Sequence, residues 1–88
     1  MLMVNAVYRP ERSSQVLKNL KNAGFSGMTR LAGLNGRDAL WMVVDESAAS
    51  RVVRAIREGA YTGGLEDGQI VVTKVVEVFE IQPENEQA

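Results

Sequence analysis

The densest run of residues able to do chemistry is Thr62-Gly63-Gly64-Leu65-Glu66-Asp67-Gly68-Gln69. Glycines at this density let a backbone turn its N–H groups inward, the means by which loops hold anions. Glu66 and Asp67 put two carboxylates into the same turn. Neighbouring loop side chains diverge, so the pair does not act as general acid and base on one bond. The rest of the chain supplies no substitute, because it has neither histidine nor cysteine. The commonest general base, the thiol nucleophile, the usual zinc ligands and any disulfide are all excluded. No catalytic residue and no metal site is expected, and the chain reads as a non-enzyme. A structural alternative stands beside the ligand reading: the glycines only turn the chain from a helix into a strand.

The other candidate groups have plainer readings. Arg51, Arg54 and Arg57 recur at i, i+3 spacing and read as a solvated helix face. Trp41 and Met42 read as core or subunit interface. The formal net charge is −1 with the signs interspersed, so no basic stripe is present for nucleic acid. No stretch approaches the ~20 apolar residues of a membrane span, and Met1-Leu2-Met3-Val4 is too short for a signal-peptide core. A cytoplasmic protein without membrane insertion is expected. Hydrophobic residues make up 45% of the 88, enough for one packed domain. A chain this small buries only roughly 60–65% of its unfolded surface, and self-association would relieve the shortfall.

The positioning elements follow from periodicity. Leu2 to Tyr8 predicts a strand with Leu2, Val4, Ala6 and Tyr8 on one face, ended by Arg9-Pro10. Val16, Leu17 and Leu20 predict a helix with Arg12, Lys18 and Lys21 toward water, stopped at Gly24. Met28 to Leu34 predicts a second strand, Asn35-Gly36 a tight hairpin turn, and Ala39 to Val44 a third strand. That strand is apolar without alternation, as if covered on both faces. Asp45-Glu46-Ser47 starts a second helix on Ala49, Val52, Val53 and Ile56, with Gly59 expected to end it. Ile70 to Val76 predicts a fourth strand, continued by Val78, Phe79 and Ile81 as one long strand or a further arm. Two matched strand–helix–strand halves give a ferredoxin-like βαββαβ fold: a four-stranded antiparallel sheet, two helices on one face, and a C-terminal strand or arm. The domain is expected over residues 1–82, with 83–88 (Pro83-Glu84-Asn85-Glu86-Gln87-Ala88) as a flexible acidic tail. The long apolar tail strand could pair with a neighbour's sheet edge.

Two segments, in order and at matching places in this topology, resemble the P-II signalling proteins. Leu2–Tyr8, Arg9-Pro10-Glu11-Arg12 and Ala23-Gly24-Phe25-Ser26-Gly27-Met28-Thr29 are similar to that family's opening strand, (R/K)P turn, helix and G-x-x-G-M-T segment. Thr62-Gly63-Gly64-Leu65-Glu66-Asp67-Gly68-Gln69-Ile70 is similar to its T-G-x-x-G-D-G-K-I loop. The resemblance implies a homotrimer that senses a metabolite and regulates a protein target, with nitrogen metabolism the family's usual task. It departs from the family between the second and third strands, where P-II proteins carry a long partner-binding loop. Leu34 and Leu40 are joined here by only Asn35-Gly36-Arg37-Asp38-Ala39, so control of partners through such a loop does not carry over.

The resemblance also implies a cleft between subunits for an adenine nucleotide. Gly63, Gly64, Glu66, Asp67, Gly68 and Gln69 would form its loop, with Thr29 near the adenine or ribose and Arg37 as a nearby cation. The family's third loop glycine is Glu66 here, its lysine is Gln69, and its two late arginines align with Glu80 and Gln82. Each close like-charge contact costs roughly 4 kcal/mol at an effective dielectric of 20, before screening. Micromolar affinity is worth only about 8 kcal/mol, so an adenine nucleotide would bind weakly, a less charged adenine compound or a cation better. Two other readings stay open: a structural or interaction trimer without ligand, and a cation-binding ferredoxin-like trimer whose acidic cleft takes a hard ion.

Overall fold

Alternating apolar residues make Leu2–Tyr8 the first strand, β1, with Val4, Ala6 and Tyr8 buried on one face. The structure is a computed structural model in which residues 1–82 are described; the acidic segment from Pro83 lies outside them. Pro10 opens a short 3-10 turn, Pro10–Arg12, that leads into helix α1, Ser13–Asn22. Val16 and Leu20 are its buried stripe. Gly24, at φ +93°, ends it in a Schellman arrangement: its N–H donates to the Lys21 carbonyl at 3.0 Å, and the Phe25 N–H to Leu20 at 2.9 Å.

Strand β2, Thr29–Leu34, turns through Asn35 and Gly36 into β3, Arg37–Val44. Both turn residues have positive φ, 51° and 76°, as a two-residue hairpin of the favoured hand requires. Asp45, in extended conformation, precedes helix α2, Glu46–Ala60, and its carbonyl accepts the Ala48 N–H at 2.9 Å. Strand β4 is Gly68–Lys74. The sheet order is β2-β3-β1-β4 with every neighbour antiparallel, and both helices pack on one face, giving the ferredoxin-like fold. Val4, Ala6, Tyr8, Leu40, Met42 and Val44 from the sheet meet Val16, Leu20, Val52 and Ile56 from the helices in one core. The Tyr8 hydroxyl is buried there near Ser13, Asp38 and Arg30 without a hydrogen bond of normal geometry, and burial raises its pKa above the usual phenol value.

Several elements differ from their sequence reading. Gly59 does not end α2; it lies inside the helix, where a Cβ would stand 2.7 Å from the Val16 Cα. Its lack of a side chain sets the approach of the two helices. Arg12 is half-buried, not free in water, and its Nε donates to the Gly59 carbonyl at 2.8 Å, bridging the start of α1 to the end of α2. Strand β3 alternates: Leu40, Met42 and Val44 are buried, while Trp41 and Val43 are exposed. Within one chain only one face of it is covered. Strand β4 ends at Lys74, and residues 75–82 follow as an exposed arm after Val75 donates to the Met1 carbonyl at 3.1 Å.

The sheet face away from the helices is therefore bare. Register puts Leu31, Trp41, Val43 and Val71 together on it, exposed by 45, 37, 40 and 46%.

Candidate functional site

Pairing of Tyr8 with Gly68 brings the end of β1 against the loop that precedes β4. The approach is so close that a side chain at position 68 would collide with the Val7 carbonyl oxygen, and Gly68 has φ +129°. The loop from Tyr61 to Asp67 is thereby held over the end of the sheet.

Asp67 organises that loop. Its carboxylate accepts the Thr62 N–H at 2.7 Å, the Gly63 N–H at 3.2 Å, the Thr62 hydroxyl, and Arg9 Nε at 3.3 Å. The Thr62 hydroxyl and then the Thr62 N–H hold its pKa down to about 2, with smaller help from Arg9 and Gly63, against an opposing desolvation that outweighs either of those two alone. The Thr62 hydroxyl in turn accepts the Gly64 N–H at 3.1 Å. The first three N–H groups of the glycine loop are thus turned onto the protein itself. What an external anion could meet is the later part, Leu65 to Gly68.

Two arginines brace that later part. Arg9 Nη2 donates to the Leu65 carbonyl and Arg37 Nη1 to the Glu66 carbonyl, each at 2.6 Å. A guanidinium carries five N–H donors, so both keep donors to spare beside the loop. Glu66 itself has φ +64°, a conformation that glycine takes without strain. Behind the loop, Ile56, Arg57, Tyr61, Asp67, Gln69 and Ile70 help to line a cleft of about 240 Å³ between α2 and β4.

The sequence-derived residues divide into two groups. Gly63, Gly64, Glu66, Asp67, Gly68, Gln69 and Arg37 come together at this end of the sheet. Thr29 does not join them within one chain: it is exposed on β2, paired with Trp41, three strands away from β4. At about 4.8 Å per strand that is roughly 14 Å. In the sequence Arg9 marks the end of a strand and the (R/K)P turn, not a contact with the glycine loop. Its place at the loop is visible once the register sets Tyr8 opposite Gly68, which the local sequence does not encode. Among the described residues no cluster of three or more acidic side chains could hold a metal ion, and no helix is long and apolar enough to cross a membrane.

No protein-family model matches the chain. Comparison with curated proteins finds relatives along nearly all of it. A nitrogen fixation nifHD region GlnB-like protein 1 of Methanothermobacter marburgensis is 29% identical, with 98% of each chain covered. That alignment spans 103 positions against 88 residues here, so at least 15 positions of the relative face a gap. A nifHD2 region GlnB-like protein 1 of Methanosarcina barkeri is 29% identical over 92% of this chain and 93% of its own. A nitrogen regulatory protein P-II 1 of Methanothermobacter thermautotrophicus is 40% identical over 66% of this chain and 50% of its own.

Proposed function

We propose that this member of the P-II signalling family is a trimeric regulatory module of nitrogen metabolism whose glycine loop answers to a weakly charged adenine compound. The observation that carries this reading is one juxtaposition. A braced glycine loop stands at the end of a sheet whose other face is apolar and bare. Leu31, Trp41, Val43 and Val71 would be covered by neighbouring subunits. The exposed arm, with Val76, Val78, Phe79 and Ile81, offers further apolar surface for that assembly. Thr29 would meet the loop only from a neighbouring chain. Regulation would then run from ligand to subunit contacts and on to a protein target, without an inserted loop, since β2 and β3 are joined by Asn35 and Gly36 alone.

Ligand charge follows from the cations. Arg9 and Arg37 stand at the loop and Arg57 lines the cleft behind it, but the first two each spend a donor on a backbone carbonyl, and Glu66 adds a carboxylate. A triphosphate is poorly matched, and a monophosphate or cyclic monophosphate is better. Light scattering should give about three times the 9.6 kDa chain mass, and Trp41→Glu should give the monomer. Thermal shift with ATP, ADP, AMP and cyclic AMP at 1 mM should show stabilisation by the last two and none by ATP. The double change Gln69→Lys with Glu66→Gly should restore the ATP shift. A monomeric parent protein would overturn the assembly. A trimer that no adenine compound shifts, before or after the double change, would leave an interaction module without ligand.

A further inference from the structure

The two helices carry Lys18, Lys21, Arg51, Arg54 and Arg57 against Glu46 and Glu58, a net charge of +3 in a chain of −1 overall. The positive charge of the molecule is therefore gathered on the layer opposite the bare sheet face. Within that layer α1 and α2 frame a groove of about 390 Å³, lined by Asn19, Asn22, Ala23, Arg51, Arg54 and Glu58. Neither arginine forms an ion pair among the described residues, where the one pair is Arg9–Asp67. Arg51 is also held in place, its guanidinium 5.2 Å from the centre of the Phe25 ring.

Side chains at i and i+3 of a helix stand about 5–6 Å apart at Cβ. Carboxylates at alternate positions of an extended peptide stand roughly 6.7 Å apart. Arg51 and Arg54 thus match an acid-x-acid segment, while Glu58, a turn beyond Arg54, repels a third carboxylate. The chain contains such a segment in Glu84-Asn85-Glu86. It follows the exposed arm, which leaves the sheet beside Met1. Met1, Phe25 and Val44 border one depression there, so the arm departs from the end of the molecule where Phe25 and Arg51 open the groove. Glu84 lies ten residue steps beyond Lys74, a reach of up to roughly 33 Å, enough to meet a neighbouring molecule.

We propose that the α1–α2 groove receives the Glu84-Asn85-Glu86 segment of a second copy of this chain, the two carboxylates pairing with Arg51 and Arg54. The contact requires a second copy but not the sheet-mediated trimer, so its test stands apart from that reading.

The test uses the full chain carrying Glu84→Gln and Glu86→Gln, so that its own segment does not compete. A fluorescein-labelled peptide of residues 75–88 is titrated into it at 20 mM salt and followed by anisotropy. Saturable binding is expected, lost at 0.5 M salt and weakened at least tenfold by Arg51→Gln with Arg54→Gln. Lys18→Gln with Lys21→Gln, which removes the same charge from the helix layer outside the groove, should leave it within twofold. Should the arginine variant fold poorly, a reversed pair decides: Arg51→Glu with Arg54→Glu should bind a peptide carrying Glu84→Lys and Glu86→Lys. The proposal is overturned by an absent anisotropy change or by equal binding of a peptide carrying Glu84→Gln and Glu86→Gln. An equal loss with Lys18→Gln and Lys21→Gln, which would reveal diffuse attraction to the helix layer, overturns it as well.

Discussion

Replacing Gly59 by alanine tests whether the helices meet as closely as their backbones indicate. A Cβ at this position would lie 2.7 Å from the Val16 Cα, 2.9 Å from the Val16 nitrogen and 3.1 Å from the Gln15 carbonyl carbon. All three are backbone atoms, so no rotamer change can clear them. Carbon atoms in comfortable contact stand about 3.5–4.0 Å apart, and α1 would have to move away by about 1 Å. That shift loosens the packing of Val16 and Leu20 on Val52 and Ile56, all fully buried, and stretches the Arg12–Gly59 bridge. Overpacking of this kind costs about 1–3 kcal/mol. Alanine returns about 0.5–1 kcal/mol through its better helix propensity. Three backbone clashes at once put the overpacking cost at the upper end of its range, about 2–3 kcal/mol, so the net loss is about 1–2.5 kcal/mol, or roughly 4–20 °C in Tm for a domain of this size. Thermal melts by circular dichroism at fixed protein concentration measure it. Gly27→Ala, where nothing lies within 4 Å of the added carbon, should be unchanged and serves as the control. A Gly59→Ala protein as stable as the parent would refute the account of helix packing.

Two further outcomes concern the loop. Glu66→Gly should keep the Arg37 contact, which is to the backbone carbonyl, and relieve the left-handed conformation at φ +64°. Relief of about 1–2 kcal/mol against about 0.4–1 kcal/mol of added unfolded-chain entropy leaves the variant as stable as the parent or up to about 1.6 kcal/mol more so in urea; a loss above about 0.5 kcal/mol would contradict it. Asp67 has a folded pKa of about 2, below its unfolded value of 3.8, so its contribution is complete above pH 4 and is lost as pH falls toward 2. Parent and Asp67→Asn stabilities should therefore converge between pH 4 and pH 2, and a gap that stays constant over that range would contradict the bonding described.

What was legible in the sequence was what short-range geometry decides. Leu2–Tyr8 shows its buried face by alternation, Asn35-Gly36 fixes a hairpin by the φ values it tolerates, and Gly24 stops α1 where local bonding allows. From these the strand order and the helix layer follow. Gly59 was misread because the same residue type has two uses, and which applies depends on Val16, 43 positions away in the chain. Arg9 was missed for a like reason: its partners Leu65 and Asp67 are brought to it only by β1–β4 register. In β3 the run Leu40 to Val44 suggested cover on both faces, whereas one chain covers only one. An apolar strand reports that its faces are to be buried but not by which molecule.

The short hairpin and the braced loop are connected. With only Asn35 and Gly36 in the turn, Arg37 is the first residue of β3, set opposite Leu34 by the ladder. From that fixed position its guanidinium lands on the Glu66 carbonyl. A longer insertion between β2 and β3 would move the residue before β3 out of the ladder and leave its side chain free to range. Here the same cation is spent on holding the glycine loop of its own chain. The short β2–β3 turn and the braced glycine loop are then one structural arrangement, and Arg37 is the residue that carries it.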